Sequence, residues 1–133
     1  MNISNILGLA LLSEGAIDAH TVNRALMTME AAIAGEVILN LDATADVVLS
    51  SLTEEVHTPT VVPVENHYMI VVNETDTAST RNLIFTPTIK GTHAIKNNTG
   101  GGIVCRYPTG DAALIDEGDT GHIYCNGSNV IPL

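Results

Sequence analysis

The C-terminal half of the chain consists of short apolar runs separated by turn residues at nearly regular intervals. Glycine and asparagine, which tolerate the positive φ of tight hairpin turns, recur between the runs, for example at 98–102 and 126–128. Runs of five or six residues at this spacing are typical of an antiparallel sandwich or barrel. The predicted strands of this half are 82–87, 92–97, 102–107, 111–116 and 120–125.

The segment before it also has the pattern of strands. Strands are predicted at 36–41 and 46–52, joined by a turn around 42–44, and the apolar run 67–73 is expected to be central. Residues 53–57 fit a loop or one helical turn, whereas 58–64, which contains Pro59 and Pro63, fits an edge strand or a connection. About nine strands result, enough for a β-sandwich of two packed sheets with aliphatic inner faces.

One helix is predicted ahead of the strands. Helical signals begin near Asp18, whose side chain can cap the first turn, and Gly35 supplies the stop. The predicted helix has about sixteen residues and a length of about 24 Å. Its apolar residues repeat at spacings of four, three and four, which places them on one stripe: Val22, Leu26, Met29 and Ile33.

Two kinds of contact fit this stripe: packing on a sheet of its own chain, or a seam between copies of the helix in an oligomer. The apolar segment 1–17, which includes Ile6 and Leu9, has the composition of an extended arm that packs on its own domain or docks onto a neighbouring subunit. The chain thus divides into an arm and amphipathic helix, 1–35, for anchoring or oligomerisation, and a β-sandwich domain, 36–133. The candidate interface residues are Val22, Leu26, Met29, Ile33, Ile6 and Leu9.

The composition of the chain reduces the number of functional classes to which it can belong. Aromatic residues make up only 3% of the chain, so the core must be built from Val, Ile, Leu and Ala, which favours strands over large ligand-stacking pockets. The 15 acidic and 5 basic residues give a net charge of −10, which repels phosphate backbones and anionic lipids. No run reaches the ~18 apolar residues of a membrane span. We therefore expect no nucleic-acid or membrane partner, and a protein made in the cytosol.

The residues that could carry chemistry do not form a recognisable motif. Cys105 and Cys125 lie in separate predicted strands, which favours two buried free thiols, with a disulfide between strands as the alternative. The histidines at 20, 57, 67, 93 and 122 lack metal-site spacing, and His20, His93 and His122 are expected to pack or form hydrogen bonds.

An acidic hairpin is the remaining candidate. Its carboxylates, Asp111, Asp116, Glu117 and Asp119, fit a solvated turn better than a Ca²⁺ site, since no twelve-residue binding loop is present. No catalytic, cofactor-binding or metal residue is predicted, and we expect a protein that is not an enzyme.

The C-terminal half also resembles a known module. Its pattern comprises Arg81-Asn-Leu-Ile, Pro87, Lys90, Asn97-Asn-Thr99, Gly101-Gly102, Gly110, Glu117-Gly118 and Tyr124-Cys-Asn-Gly-Ser-Asn-Val130. This succession is similar to a module of many bacteriophage fibre proteins, in which an Arg-x-Ile-x-x-Pro strand leads to an Asn-x-Thr-x-Gly turn and a closing Tyr-Cys-Asp-Gly-Thr-Asn-Val. Asn126 and Ser128 stand where that module has Asp and Thr.

The N-terminal segment carries a second resemblance. Asn5-Ile-Leu-Gly-Leu9, His20-Thr-Val-Asn-Arg-Ala-Leu26 and Met29-Glu-Ala-Ala-Ile33 look like the opening of fibre or spike proteins of phages and gene-transfer agents. Ala10, Ala19 and Arg24 replace the Pro, Lys and Glu of that opening.

The two resemblances imply a structural protein of a tailed-phage virion, a short fibre, spike or decoration protein on the tail or head. Proteins of this kind are usually homotrimers, so the expected partners are further copies of the chain and other virion proteins of the capsid, portal, tail or fibre. Two alternatives remain open: a capsid cement protein that stabilises the shell, and a carbohydrate-binding module that attaches to a host surface glycan.

Overall fold

The computed structural model of the chain describes residues 19–57, 60–77 and 79–133. One helix, α1 (Ala19–Ala34), precedes eleven strands in these residues. The strands are β1 (Glu36–Leu41), β2 (Asp46–Val48), β3 (Thr53–His57), β4 (Thr60–Pro63), β5 (Met69–Glu74), β6 (Thr80–Ile84), β7 (Gly91–Asn97), β8 (Gly102–Arg106), β9 (Ala113–Ile115), β10 (Thr120–Cys125) and β11 (Val130–Pro132). Single 3-10 turns lie at Leu49–Ser51 and Val64–Asn66.

The strands form two main sheets, and the chain passes back and forth between them. One sheet has the order β1-β5-β7-β10-β11 and the other the order β2-β6-β8-β9, while β3 and β4 form a separate hairpin. Between β1, β5 and β7 of the first sheet the chain passes through the second sheet, and these three strands run parallel to one another. In the same way the chain passes through the first sheet between β2, β6 and β8, which are also parallel. The final strands pair antiparallel. Successive passes therefore stack like the coils of a β-solenoid.

This stacking places similar side chains in rows inside the body. Val37, Ile70 and Ile95 are register partners on neighbouring strands, and all three are buried. Full burial of each such side chain contributes about 1.5–3 kcal/mol. The core cluster consists of Val37, Leu39, Val47, Leu49, Val64, Ile70, Val72, Leu83, Phe85, Ile95, Ile103, Cys105, Tyr107, Ala113, Ile115, Ile123, Cys125 and Val130.

The predicted mainly β fold with one N-terminal helix is confirmed, and the sandwich-like pair of sheets fits it. The pairing differs from the antiparallel pattern expected, because half of the strand pairs are parallel. The helix ends at the expected residue, and β1 and β10 have the expected bounds. Residues 53–57, expected to be a loop or a helical turn, form β3 because they pair with β4.

The tight turns use glycine and asparagine in different ways. Among the described residues only glycines have positive φ, including Gly110 and Gly127 with φ of 97° and 96°. A side chain at Gly110 would collide with the carbonyl oxygen of Ser128, so this position needs glycine for space as well. Asparagine acts through its side chain: Asn126 Oδ1 accepts the N–H groups of Ser128 and Asn129 at 2.8 and 2.7 Å.

Candidate functional site

The residues of α1 that are buried against the body are small. Thr28 and Ala31 are buried, and the helix contacts β4 and the turn at Val64–Asn66. The N–H of Tyr68 donates to the carbonyl of Ala31 at 2.9 Å, and the N–H of Met69 donates to that of Gly35 at the same distance. The C-terminal end of α1 is therefore joined to the start of β5.

The predicted apolar stripe lies on the other side of α1. Leu26, Met29 and Ile33 are 56%, 42% and 75% exposed. Thr28 and Ala31 each follow a stripe residue by two positions, which is about 200° around the helix. Burial of the small residues therefore turns the stripe away from the sheets.

The six candidate interface residues thus differ in exposure and in whether the structure describes them. Leu26, Met29 and Ile33 form one exposed aliphatic face, here called the α1 face, and Val22 at its N-terminal end is half-buried. Among the described residues, the α1 face does not pack on a sheet of its own chain, which was one of the two contacts expected. Ile6 and Leu9 lie outside the described residues.

A buried ion pair joins three successive corners of the body. Arg81 is fully buried, and its Nη1 donates to Glu74 Oε2 at 2.9 Å. Its Nη2 donates to the carbonyls of Asp42 and Asp76 at 2.8 and 2.6 Å. Glu74 Oε1 accepts the N–H of Gly100 at 2.7 Å, so the pair connects the corners after β1, β5 and β7.

A buried asparagine holds the last of these corners. Asn97 Nδ2 donates to the carbonyls of Gly101 and Ile115 at 2.8 and 3.0 Å, and its Oδ1 accepts the N–H and the hydroxyl of Thr99. All its hydrogen-bonding positions are used although the side chain is fully buried. The turn is therefore rigid, and it ties β7 to β9.

The cysteines lie in the core. Cys105 and Cys125 are buried and free, as the sequence predicted, and burial raises the pKa of both thiols, that of Cys125 to about 12. Tyr107 is also buried; its hydroxyl donates to the carbonyl of Ile89 and accepts the N–H of Gly127, and burial raises its pKa to about 12. Nucleophilic chemistry requires the thiolate, which these surroundings suppress.

Two histidines and a glutamate are buried near the C-terminal end of α1. The ring of His93 lies 5.2 Å from that of Phe85, and its Nδ1 donates to the carbonyl of His67 at 2.7 Å. Burial lowers the pKa of His93, so the ring is held neutral. The carboxylate of Glu65 accepts both the N–H and the hydroxyl of Thr86. His93 therefore packs and bonds as expected, whereas His122 is exposed.

Two surface clefts are formed by described residues. A cleft of about 350 Å³ is lined by Asp46, Asn82, Ile84, Arg106 and Pro108, and one of about 320 Å³ lies beside the end of β1. In residues 19–57, 60–77 and 79–133, no three His, Cys, Asp or Glu side chains are grouped to hold a metal ion. No helix in the same ranges is long and apolar enough to cross a membrane. The carboxylates of the acidic hairpin are exposed.

The buried polar residues were not predicted from the sequence, although one of them leaves a signal there. Arg81 alternates with Leu83 and Phe85 along the chain, so a strand at this point places its side chain on the core face. A buried arginine must have anionic and carbonyl partners. Glu74 leaves no such signal, because its partner Gly100 comes from another corner of the fold, and neither does the contact of Asn97 with Ile115.

Comparison with known proteins yields no relative: the chain matches no protein-family model, no curated protein and no solved structure.

Proposed function

We propose that the chain is a non-enzymatic structural protein of a tailed-phage virion, a short fibre, spike or decoration protein exposed on the tail or head. It is assembled in the cytoplasm of the host bacterium and becomes part of the particle. The observation that carries the proposal is the α1 face, an apolar surface on a rigid β body. The sequence resemblance to fibre and spike proteins supplies the kind of particle.

The α1 face has the chemistry of a helix seam. Leu26, Met29 and Ile33 are separated by three and four residues, the spacing with which helices pack side by side in coiled coils. Full burial of a large aliphatic side chain contributes about 1.5–3 kcal/mol, so leaving three of them in water is costly. Association of three copies through this face, a homotrimer, removes that cost and gives the fibre or spike its symmetry.

The body has the properties of a building block. Its corners are joined by the Arg81–Glu74 pair and by the Asn97 turn, and its core is aliphatic. The Cys105 and Cys125 thiols and the His93 ring lie in the interior, held in their unreactive neutral forms. These features favour a passive structural role over catalysis.

Association through the α1 face is tested with one variant and a matched control. Leu26→Asp places a charge on the face and is expected to prevent self-association, as measured by sedimentation velocity. Leu114→Asp makes the same change at a residue of β9 that is 59% exposed, and is expected to leave association unchanged. Equal association of both variants would exclude the α1 face as the seam.

The position on the particle is tested by electron microscopy of virions labelled with an antibody to the chain. Label at the tail or at the vertices supports a fibre or spike. Label spread over all facets supports the alternative, a cement protein that strengthens the shell. Particles without label would contradict both.

A second candidate function, attachment to a host glycan, is favoured by the cleft of about 350 Å³ on the outer side of the β2-β6-β8-β9 sheet. Asn82 Nδ2 donates to Asp46 Oδ1 at 2.7 Å, and the guanidinium of Arg106 is oriented by the carbonyls of Tyr107 and Pro108. These groups can form hydrogen bonds to sugar hydroxyls. A glycan array tests this function: binding that is lost in Arg106→Gln supports it, and an array without signal excludes it.

A further inference from the structure

β1 presents a free strand edge. It is the first strand of its sheet, and no described residue pairs with it except those of β5. The carbonyl of Gly35 accepts the N–H of Met69, and that of Leu41 accepts the N–H of Thr75. Because successive residues of a strand direct their main-chain groups to alternate sides, the odd-numbered residues of β1 face β5 and the even-numbered ones face away.

The free edge therefore carries the N–H and C=O groups of Glu36, Ile38 and Asn40. These six main-chain groups have no partner strand among the described residues, and such a row forms a template for another extended segment. Their side chains do not block access from this edge, because side chains of a strand point above and below the sheet.

The rows of side chains that run across the sheet indicate which residues such a segment would contain. Val37, Ile70 and Ile95 stack in register on the inner side, and Ile38 is paired with Val71 on the outer side. A second row contains asparagines: Asn40 is paired with Asn73, whose Oδ1 accepts Nδ2 of Asn98 at 3.0 Å. A further strand would continue these rows with aliphatic residues followed by an asparagine, as amide ladders do in stacked strands.

The charges around the edge indicate what flanks the segment. Glu36 is exposed at one end of β1, and Asp42 and Asp46 are exposed at the other. The N–H and the hydroxyl of Thr44 donate to Asp42 Oδ1 and lower the pKa of that carboxyl, so it stays ionised. The buried cation Arg81, which donates to the carbonyl of Asp42, is paired with Glu74. Two copies of this edge would bring carboxylates together, whereas a segment with basic flanks would complement them.

We propose that the free edge of β1 binds an extended segment of another protein by strand addition, the segment having an aliphatic centre, an asparagine and basic flanks. Residues beyond its asparagine would enter the cleft of about 320 Å³ beside Asn40, Asp42 and Asp46. Main-chain hydrogen bonds supply the affinity in this mode of recognition, and the rows supply the specificity. The edge shares no residue with the α1 face. Strand addition at the edge and association through the α1 face are therefore tested independently, and one can be refuted while the other stands.

The probe is a fluorescent peptide, Lys-Lys-Thr-Ile-Val-Val-Asn-Thr-Lys-Lys, and its binding is measured by anisotropy. Ile38→Pro removes an N–H that points to the free edge and takes no part in the β1–β5 ladder. Ile38→Thr keeps the N–H but removes the same aliphatic side chain. We expect Ile38→Pro to bind about tenfold more weakly and Ile38→Thr to bind within about threefold of the unsubstituted chain.

Two outcomes overturn the inference: no binding of the peptide at millimolar concentration, or equal binding by the proline variant and the unsubstituted chain. If Ile38→Pro does not fold, amide hydrogen exchange on the unsubstituted chain decides. Exchange at Ile38 and Asn40 is expected to slow when the peptide is added in excess, and unchanged rates at both would refute strand addition. A peptide with glutamate in place of lysine is expected to bind more weakly because the edge is acidic.

Discussion

Replacing Arg81 by Met tests whether the buried ion pair holds the corners of the body together. The guanidinium makes one hydrogen bond to Glu74 and two to main-chain carbonyls, all at 2.6–2.9 Å, from a fully buried position. Methionine retains the apolar stem but removes the donor that Arg81 supplies to Glu74 Oε2 and to both carbonyls, while Glu74 Oε1 keeps the N–H of Gly100. Removal of one partner of a fully buried pair costs about 3–5 kcal/mol, and because the Glu74 left behind is half-buried, we expect a loss near the lower end of that range in the free energy of unfolding.

The assay is equilibrium denaturation in urea, monitored by far-UV circular dichroism. Arg106→Met is the matched control, because Arg106 is half-exposed and, among the described residues, its guanidinium donates to the carbonyls of Tyr107 and Pro108 only. We expect it to lose about 0.5–1.5 kcal/mol. The double variant Arg81→Met, Glu74→Met leaves no unpaired charge and is expected to be more stable than Arg81→Met alone.

Similar losses in the free energy of unfolding for Arg81→Met and Arg106→Met would refute this reasoning. They would mean that the corners are held by backbone pairing and core packing alone.

Three further predictions concern buried groups whose pKa values depart from the ordinary ones. His93 is held neutral in the folded chain, while the unfolded chain takes up its proton near pH 6.5, so the contribution of His93 to the free energy of unfolding is complete above that pH and is lost as the pH falls. Denaturation at pH 7.5 and 5 should therefore show a smaller loss of stability in acid for His93→Gln than for the unsubstituted chain, and equal losses would contradict the neutral ring. The difference between the absorbance titrations of the unsubstituted chain and of Tyr107→Phe should show Tyr107 ionising near pH 12, and a difference centred near pH 10 would contradict its buried position. Tyr107→Phe should cost about 1–3 kcal/mol in the free energy of unfolding because it leaves the N–H of Gly127 and the carbonyl of Ile89 unpaired. Cys105 and Cys125 should react with a thiol reagent only at the rate of unfolding, and rapid labelling of either in the native chain would contradict their burial.

Local patterns along the chain were sufficient to predict most elements of the fold, although β3, which exists because it pairs with β4, was missed. The apolar repeat and Gly35 predicted the bounds of α1 closely, and the run 36–41 predicted β1. The direction of pairing could not be read in the same way. A strand has the same alternation whether its neighbour runs parallel or antiparallel, and only the path between the two sheets decides.

The orientation of α1 could not be predicted for a related reason. An apolar stripe indicates which side of a helix avoids water, but here the body takes the side with Thr28 and Ala31, and Leu26 and Ile33 remain exposed. Hydrophobicity alone favours the opposite arrangement. Exposure of the stripe is therefore the feature of the structure that requires a further contact.

The mass of the chain in solution tests that contact most directly. Sedimentation equilibrium at micromolar to millimolar concentration is expected to give a species of three times 14.0 kDa, because burial of the α1 face favours association. A single species of 14.0 kDa over the whole concentration range would contradict the account, since the aliphatic face of α1 would then be stable in water without a partner.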